Sequence, residues 1–263
     1  MTTHMKRLIT AFIAILFLIL VIKYAPLWVF IIVILFAALT SLSEFYALIK
    51  PKRAEKIIFL NYVIATVLFF SIIGNNQRFI ALFPFFVIVP LALFVFTYPK
   101  SHHKIGDIAA VIMGPFYICL PLILCSMIAE LPRGRMWIFF ILVVIFAGDT
   151  GSFYCGKLFG KHKLTQISPG KTWEGTIGGL IANTACAGLF GYAFFTSSSV
   201  ISIMTVGILL GISGQIGDLA ESMLKRMSNK KDSGTILPGH GGMLDRIDSL
   251  LFAIPVLYIY LNI

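Results

Sequence analysis

The sequence predicts an all-α polytopic membrane protein with about nine transmembrane helices. Hydrophobic residues make up 59% of the 263 positions, whereas charged residues make up 12%. The mean hydropathy is +0.95, so an ordinary soluble domain is excluded and the bilayer is the expected solvent. Apolar stretches of suitable length define the predicted spans. They cover residues 8–22, 25–49, 57–73, 79–98, 108–129, 137–155, 176–196, 200–217 and 249–262, of which the first and last are short.

The sidedness of these spans follows from the basic residues in the loops that join them. Nine crossings in order place all but four of the 21 basic residues on one side of the membrane. The four exceptions are Lys23, Arg78, Arg133 and Arg135. Because cytoplasmic loops carry an excess of Lys and Arg, the N-terminus is predicted inside and the C-terminus outside. The cytoplasmic face then carries most of the net charge of +10 and attracts anionic headgroups and phosphates.

The chain is predicted to form a single integral membrane domain over residues 1–263. No internal repeat, low-complexity tract or long linker divides it. Residues 1–130 supply the N-terminal spans, and residues 131–263 supply the spans and cytoplasmic loops that carry the candidate site. The cysteines show no metal-binding spacing and are predicted to be packing residues. They are Cys119, Cys125, Cys155 and Cys186.

An amphipathic cytoplasmic helix is predicted after the eighth span, over residues 218–231. Its apolar stripe contains Leu219, Met223, Leu224 and Met227. The opposite stripe presents Asp218, Ser222, Lys225 and Asn229, which offer a carboxylate for a metal and a hydroxyl and an ammonium group for phosphate oxygens. The alternative interpretation is an ordinary interfacial helix that lies on the lipid headgroups.

A glycine-rich segment and two carboxylates precede the last span. Carboxylates at positions i and i+3 share a helix face, so Asp245 and Asp248 are predicted to serve one metal site. The glycines at 239, 241 and 242 allow backbone amides to approach an anion at the start of a helix. In a purely structural interpretation, Arg246 alone would compensate the two acidic groups.

The segment from Ser222 to Asp248 resembles the signature of the phosphatidate cytidylyltransferases, the CDP-diacylglycerol synthases. Two further segments, residues 148–161 and 168–175, resemble the same family. The resemblance covers about residues 147–250, whereas the first five spans match only in length and hydropathy. The signature positions are Ser222, Lys225, Arg226, Lys231, Asp232, His240, Gly241, Gly242, Asp245, Arg246 and Asp248.

The resemblance implies transfer of a cytidylyl group from CTP to phosphatidate, giving CDP-diacylglycerol and pyrophosphate for phospholipid biosynthesis. It places catalytic roles on Lys225, Arg226, Asp245, Arg246 and Asp248, to which the helix stripe described above adds Asp218 as a carboxylate for a metal. Substrate-binding roles fall on Ser168, Lys171, Thr172, Glu174, Ser222, Lys231, Asp232, His240, Gly241 and Gly242. By analogy with other phosphoryl-transfer sites, one or two Mg²⁺ or Mn²⁺ ions are expected on Asp218, Asp245, Asp248 and Asp149.

The sequence contains three further features: a lone carboxylate, a row of glycines and an acidic residue with two possible roles. Glu44, at the inner end of the second span, is interpreted as a carboxylate that snorkels to the membrane interface. A row of small residues, Gly207, Gly211, Gly214 and Gly217, is interpreted as a face for close helix packing. Asp149 is expected either to bind a cation or nucleotide or to pair with a lysine.

The expected partners are CTP, phosphatidate and the lipid bilayer, without nucleic acid, and a homodimer remains an alternative to a monomer. The expected location is the inner (cytoplasmic) membrane of the cell, in a multi-pass arrangement with the site facing the cytoplasm. A CTP-dependent prenol or polyprenol kinase is the nearest alternative enzyme, and it would release CDP instead of pyrophosphate. An ion-coupled transporter is an alternative of another class, but the sequence shows no inverted repeat.

Overall fold

A computed structural model of the chain describes residues 16–52, 54–72, 82–101, 103–196, 199–236 and 241–263. Within these ranges the chain forms nine helices and no β-strand. The helices are α1 at residues 16–24, α2 at Leu27–Ile49, α3 at Glu55–Ile72, α4 at Phe85–Ser101, α5 at Ile105–Glu130, α6 at Gly134–Phe159, α7 at Trp173–Phe194, α8 at Val200–Met227 and α9 at Leu244–Asn262.

Six of the described helices, α2, α3, α5, α6, α7 and α8, are long and apolar enough to cross a membrane. The apolar part of α4 is shorter, at Phe85–Tyr98. The all-helical, multi-pass class is therefore confirmed, while the count of nine spans and the sidedness of the termini stay predictions. The predicted first span, residues 8–22, lies partly outside the described residues.

Contacts within the chain define two compact units. The N-terminal unit contains Met1–Leu131 together with Asp232–Asp245, and the C-terminal unit contains Pro132–Lys231 together with Arg246–Ile263. The predicted change from N-terminal spans to site-bearing spans after residue 130 lies next to one of these boundaries. The single domain stays a prediction, and no sequence pattern indicated that residues 232–245 would belong to the N-terminal unit.

A buried polar cluster stabilises the N-terminal unit around a break in α5. Residues Pro115–Cys119 of α5 form a π-helical turn. Because Pro115 has no N–H group, the Val111 carbonyl four residues earlier lacks its usual α-helical donor. The Tyr46 hydroxyl donates to this carbonyl at 3.0 Å, and Asn61 Nδ2 donates to it at 2.9 Å. Side chains from α2 and α3 thus satisfy a backbone group that the proline leaves unpaired.

The row of small residues predicted on α8 is confirmed as a packing face of the C-terminal unit. A side chain added at Gly207 would overlap the Ala187 side chain of α7, and one added at Gly211 would overlap Asn183. On α6, a side chain at Gly148 would also overlap Asn183. The missing Cβ atoms therefore allow α6, α7 and α8 to approach closely, as small residues do in membrane helices.

The boundary predicted between the eighth span and a separate amphipathic helix is wrong. Helix α8 continues through residue 217 and ends only at Met227, and this stretch contains no proline to interrupt its hydrogen bonds. The end is set by Asn229, whose φ of 54° is left-handed. The Lys230 N–H donates to the Lys225 carbonyl at 2.8 Å, and the Asn229 N–H donates to the Arg226 carbonyl at 3.0 Å. Together these bonds form a Schellman C-cap.

Candidate active site

The C-terminal unit contains a cavity of about 400 Å³ that several charged side chains line. Asp149 reaches it from α6, Asp218 from α8, and Lys171 from the loop between α6 and α7. All three positions were assigned to the site from the sequence. The other polar side chains that line the cavity are Ser152, Lys157, Thr172, Thr176 and Gln215. The cavity thus combines two carboxylates with two ammonium groups, a set of charges suited to a phosphate and a cation.

An ion pair joins the two sides of this cavity. The Lys171 ammonium group lies 2.6 Å from the Asp218 carboxylate, and both side chains are partly exposed. The Ser222 hydroxyl, one turn further along α8, donates to the same Asp218 carboxylate at 3.4 Å. The ammonium group and the carboxylate can therefore exchange partners when an anion or a cation enters.

The loop that carries Lys171 is fixed by backbone hydrogen bonds. An antiparallel bridge pairs Lys163 with Thr172, and the Lys171 N–H donates to the Ser168 carbonyl at 3.0 Å. Thr172 is the N-cap of α7, because its hydroxyl accepts a hydrogen bond from the Gly175 N–H at 3.1 Å. Ser168 and Thr172, both predicted to bind nucleotide, thus also hold the loop in place.

Glu174 orders the neighbouring part of the same loop. Its carboxylate accepts hydrogen bonds from the Lys161 N–H at 3.2 Å and from the His162 N–H at 3.3 Å. It also lies 2.6 Å from His162 Nδ1. The predicted role in nucleotide binding or site closure remains a prediction, and the observed contacts hold the start of the loop against α7.

A second charged cluster lies near the end of α8. Lys225 forms an ion pair with Glu221, one turn earlier, and the Glu221 side chain is fully buried. Asp248 of α9 accepts a hydrogen bond from the Ser249 N–H at 2.7 Å and interacts with Glu221 and with the charge of Asp218. Sequence reasoning assigned no role to Glu221, although its i, i+4 spacing to Lys225 is the signal that could have identified it.

In the N-terminal unit, Asp245 organises the glycine-rich segment. One oxygen of its carboxylate accepts hydrogen bonds from the Gly242 N–H at 2.8 Å and from the Ser233 N–H at 3.0 Å. Gly241 has a left-handed φ of 82°, and a Cβ there would lie 2.7 Å from the Asp245 carboxylate. The expected approach of glycine backbone amides to an anion is therefore seen, and the anion is the chain's own carboxylate.

Glu44 is not a snorkelling interfacial carboxylate, so that interpretation is wrong. Its side chain is buried and accepts hydrogen bonds from the Met243 N–H at 2.9 Å, the Leu244 N–H at 2.8 Å and the Ser233 hydroxyl at 3.0 Å. These partners follow Glu44 by about 190 to 200 positions, so no local pattern around it could reveal them.

The remaining predicted positions lie near the end of α8 and the start of α9. Arg226 donates to the Lys230 carbonyl at 3.4 Å. Lys231 and Asp232 are exposed in the segment that follows α8, and Arg246 is in the first turn of α9. His240 lies outside the described residues.

The donor atoms around the cavity suit a magnesium ion that is shared with a substrate. Among the described residues, no group of three or more His, Cys, Asp or Glu side chains is arranged to hold a metal by itself. Mg²⁺, however, is commonly bound by one or two carboxylates together with substrate phosphates and water. Asp149 and Asp218 line one cavity and fit that description. The ligand set that also includes Asp245 and Asp248 stays a prediction.

Comparison with known proteins matches this chain to one family over almost its whole length. The model of the cytidylyltransferase family matches residues 5–263. The phosphatidate cytidylyltransferase of Bacillus subtilis (strain 168) is 37% identical over 195 residues, which are 73% of this chain and 71% of that protein. The protein of the same name from Staphylococcus haemolyticus (strain JCSC1435) is 40% identical over 163 residues, 62% of each chain. The one from Haemophilus influenzae (Rd) is 42% identical over 133 residues, 47% of this chain and 44% of that protein. The resemblance identified from the motifs is confirmed, and the chain belongs to the cytidylyltransferase family.

Proposed function

We propose that this chain transfers the cytidylyl group of CTP to phosphatidate, giving CDP-diacylglycerol and pyrophosphate. The observation that carries the proposal is the cavity of the C-terminal unit, where Lys171 and Asp218 lie beside Asp149 in a chain of the cytidylyltransferase family. The bacterial relatives above are named phosphatidate cytidylyltransferases, which supports phosphatidate as the acceptor.

In the proposed reaction, a phosphate oxygen of phosphatidate attacks the α-phosphorus of CTP. A new P–O bond forms, the bond from the α-phosphorus to the bridging oxygen breaks, and pyrophosphate leaves with that electron pair. Because the second pKa of a phosphate monoester is about 6, the attacking group is largely dianionic near neutral pH and needs no side-chain base. The protein must instead align two anions and neutralise their charge.

The basic side chains supply that neutralisation. Lys171 is placed to bind a phosphate group in the cavity, and its partial exposure leaves the ammonium group accessible. Lys225, Arg226, Lys231 and Arg246 are assigned to the other phosphates of CTP or phosphatidate. When bound, Mg²⁺ would supply positive charge at the triphosphate, and Asp149 and Asp218 would hold it, with Asp245 and Asp248 as the further carboxylates assigned to the site.

The location of the substrates suggests how the protein lies in the cell membrane. We place the N-terminus in the cytoplasm, the C-terminus outside, and the site at the cytoplasmic face of the inner membrane, on the strength of the basic loops. Phosphatidate could then keep its acyl chains in the inner leaflet while its headgroup meets CTP from the cytoplasm. This arrangement requires that the site open laterally to lipid.

Labelled CTP distinguishes this function from its alternatives. The purified protein is incubated in detergent with Mg²⁺, phosphatidate and CTP labelled at the α- or the γ-phosphate. Cytidylyl transfer puts the α label into lipid and releases the γ label as pyrophosphate. Appearance of the γ label in an added prenol would instead identify a lipid kinase. A folded, lipid-supplemented sample that transfers neither label would contradict the proposal.

A further inference from the structure

We propose that Glu44 is a positioning residue for the cytidylyl transfer, acting from α2 on the segment 232–245 that carries Asp245. This inference rests on the proposed function, and it concerns a residue outside every motif that identified the family. Glu44 and this segment belong to the same compact unit, although they are far apart in the sequence.

The carboxylate of Glu44 holds the start of α9. The N–H groups of Met243 and Leu244 both donate to it, at 2.9 and 2.8 Å. The first N–H groups of a helix have no partner within the helix, and their positive potential favours a negative charge. Glu44 therefore supplies from another helix the cap that α9 would otherwise need from its own sequence.

Glu44 also reaches Asp245 through one shared hydroxyl group. Ser233 Oγ lies 3.0 Å from Glu44 Oε2 and 3.0 Å from Asp245 Oδ2. The hydroxyl has one proton and can donate to only one carboxylate at a time, so the two acidic groups are coupled through it. A change at Glu44 is therefore expected to alter the hydrogen bonding of Asp245 without touching it directly.

Two glycines of the segment 232–245 leave space for the Glu44 side chain. A Cβ at Gly234 would lie 2.7 Å from the Glu44 carboxyl carbon, and one at Gly242 would lie 2.6 Å from it. Only glycine leaves room for the carboxylate at these two positions. Gly242 of the signature thus has a role besides any contact with substrate, because it lets the segment close over Glu44.

The hydrogen-bond donors around Glu44 explain why an acidic residue is required at this buried position. An ionised carboxylate has only acceptor atoms, and three donors surround it here. Glutamine has nearly the same shape but replaces one oxygen with an NH₂ group, which would face a donor. Burial of an unmatched polar group is costly, so Glu44→Gln is expected to loosen the segment while leaving the packing of α2 almost unchanged.

Hydrogen exchange and kinetics together test the inference on the full-length protein in detergent. In Glu44→Gln, amide exchange should become faster within residues 232–236 and 241–245. The kcat for cytidylyl transfer should fall about ten- to a hundredfold, as expected for the loss of one hydrogen bond to a charged group. Glu55→Gln, at an exposed carboxylate in the first turn of α3, should match the unmodified protein in both measurements.

A double variant separates positioning from a general loss of folded protein. If Glu44 acts through Ser233, then Glu44→Gln combined with Ser233→Ala should lower kcat no further than the more damaging single change. Ser233→Thr, which keeps the hydroxyl, should restore part of the activity lost in Ser233→Ala. Multiplicative losses in the double variant, or unchanged exchange and turnover in Glu44→Gln, would overturn the inference. Exchange does not depend on turnover, so an inactive unmodified protein would count against the proposed function alone.

Discussion

The Lys171 ammonium group and the Asp218 carboxylate form a close pair that contributes little to stability. Both side chains are partly exposed, at 26% and 37%. Exposed ion pairs of this kind are worth at most about 1 kcal/mol, so the folded state does not depend on the contact. An incoming phosphate can therefore take over the ammonium group at small cost, which favours a role in binding.

Lys171→Ala should weaken CTP binding without unfolding the protein. We expect the KM for CTP to rise about tenfold or more, because a charge-assisted contact to phosphate is lost. The melting temperature in detergent should remain close to that of the unmodified protein. Lys56→Ala, at an exposed position in the N-terminal unit, is the matched control and should change neither quantity. An unchanged KM in Lys171→Ala would remove Lys171 from the nucleotide site.

At the scale of the helices, the π-helical turn in α5 depends on hydrogen-bond donors from α2 and α3. Asn61 Nδ2 donates to the Val111 carbonyl and also lies 2.9 Å from the Tyr46 hydroxyl. Asn61→Leu removes one of the two side-chain donors of a buried carbonyl that keeps its bond from Tyr46, so it should destabilise the protein by about 0.5–1.5 kcal/mol. Thr66→Val on the same helix removes only a bond to the Tyr62 carbonyl and should cost less. Thermal unfolding in detergent measures both, and equal melting temperatures would show that Asn61 is not required.

Close helix packing in the C-terminal unit makes a second prediction at this scale. Gly148→Ala on α6 should destabilise the protein, because the new Cβ would overlap the Asn183 side chain of α7. The same change in an Asn183→Ala background should be tolerated better, since the three atoms nearest to the new Cβ all belong to the Asn183 side chain. Gly106→Ala, where no atom beyond the adjacent residues and the local helix backbone lies within 4 Å of the new Cβ, is the control. Failure of Asn183→Ala to restore stability would contradict this packing.

At the scale of the whole molecule, the sequence predicted the features that depend on composition and on short motifs. Hydropathy predicted a helical, multi-pass protein. Motif spacing assigned Lys171 and Thr172 to a site, helical periodicity added Asp218, and all three line one cavity in the structure. The extent of α8 was missed because hydropathy falls at residue 218 while the helix continues. A drop in hydropathy marks where a helix leaves an apolar environment and does not mark where its hydrogen bonds end.

The features that were missed depend on contacts between distant parts of the chain. Glu44 was misread because its partners come from residues 233–244, far along the sequence. The role of Tyr46 and Asn61 at Val111 could not be predicted for the same reason, although Pro115 marked the place where a carbonyl would need a donor. In each case the local sequence indicates a need for a partner, and only the fold identifies which residue meets it.

The most direct test of the proposed site is the turnover of Asp218→Asn in the assay with α-labelled CTP and phosphatidate. Asp218 lines the cavity, pairs with Lys171 and is assigned a cation, so the folded variant should transfer almost no label to lipid. Ser213→Ala, at a half-buried position of the same helix where the hydroxyl donates to the Leu209 carbonyl, should transfer label at the normal rate. Near-normal transfer by folded Asp218→Asn would contradict the assignment of this cavity as the site of cytidylyl transfer.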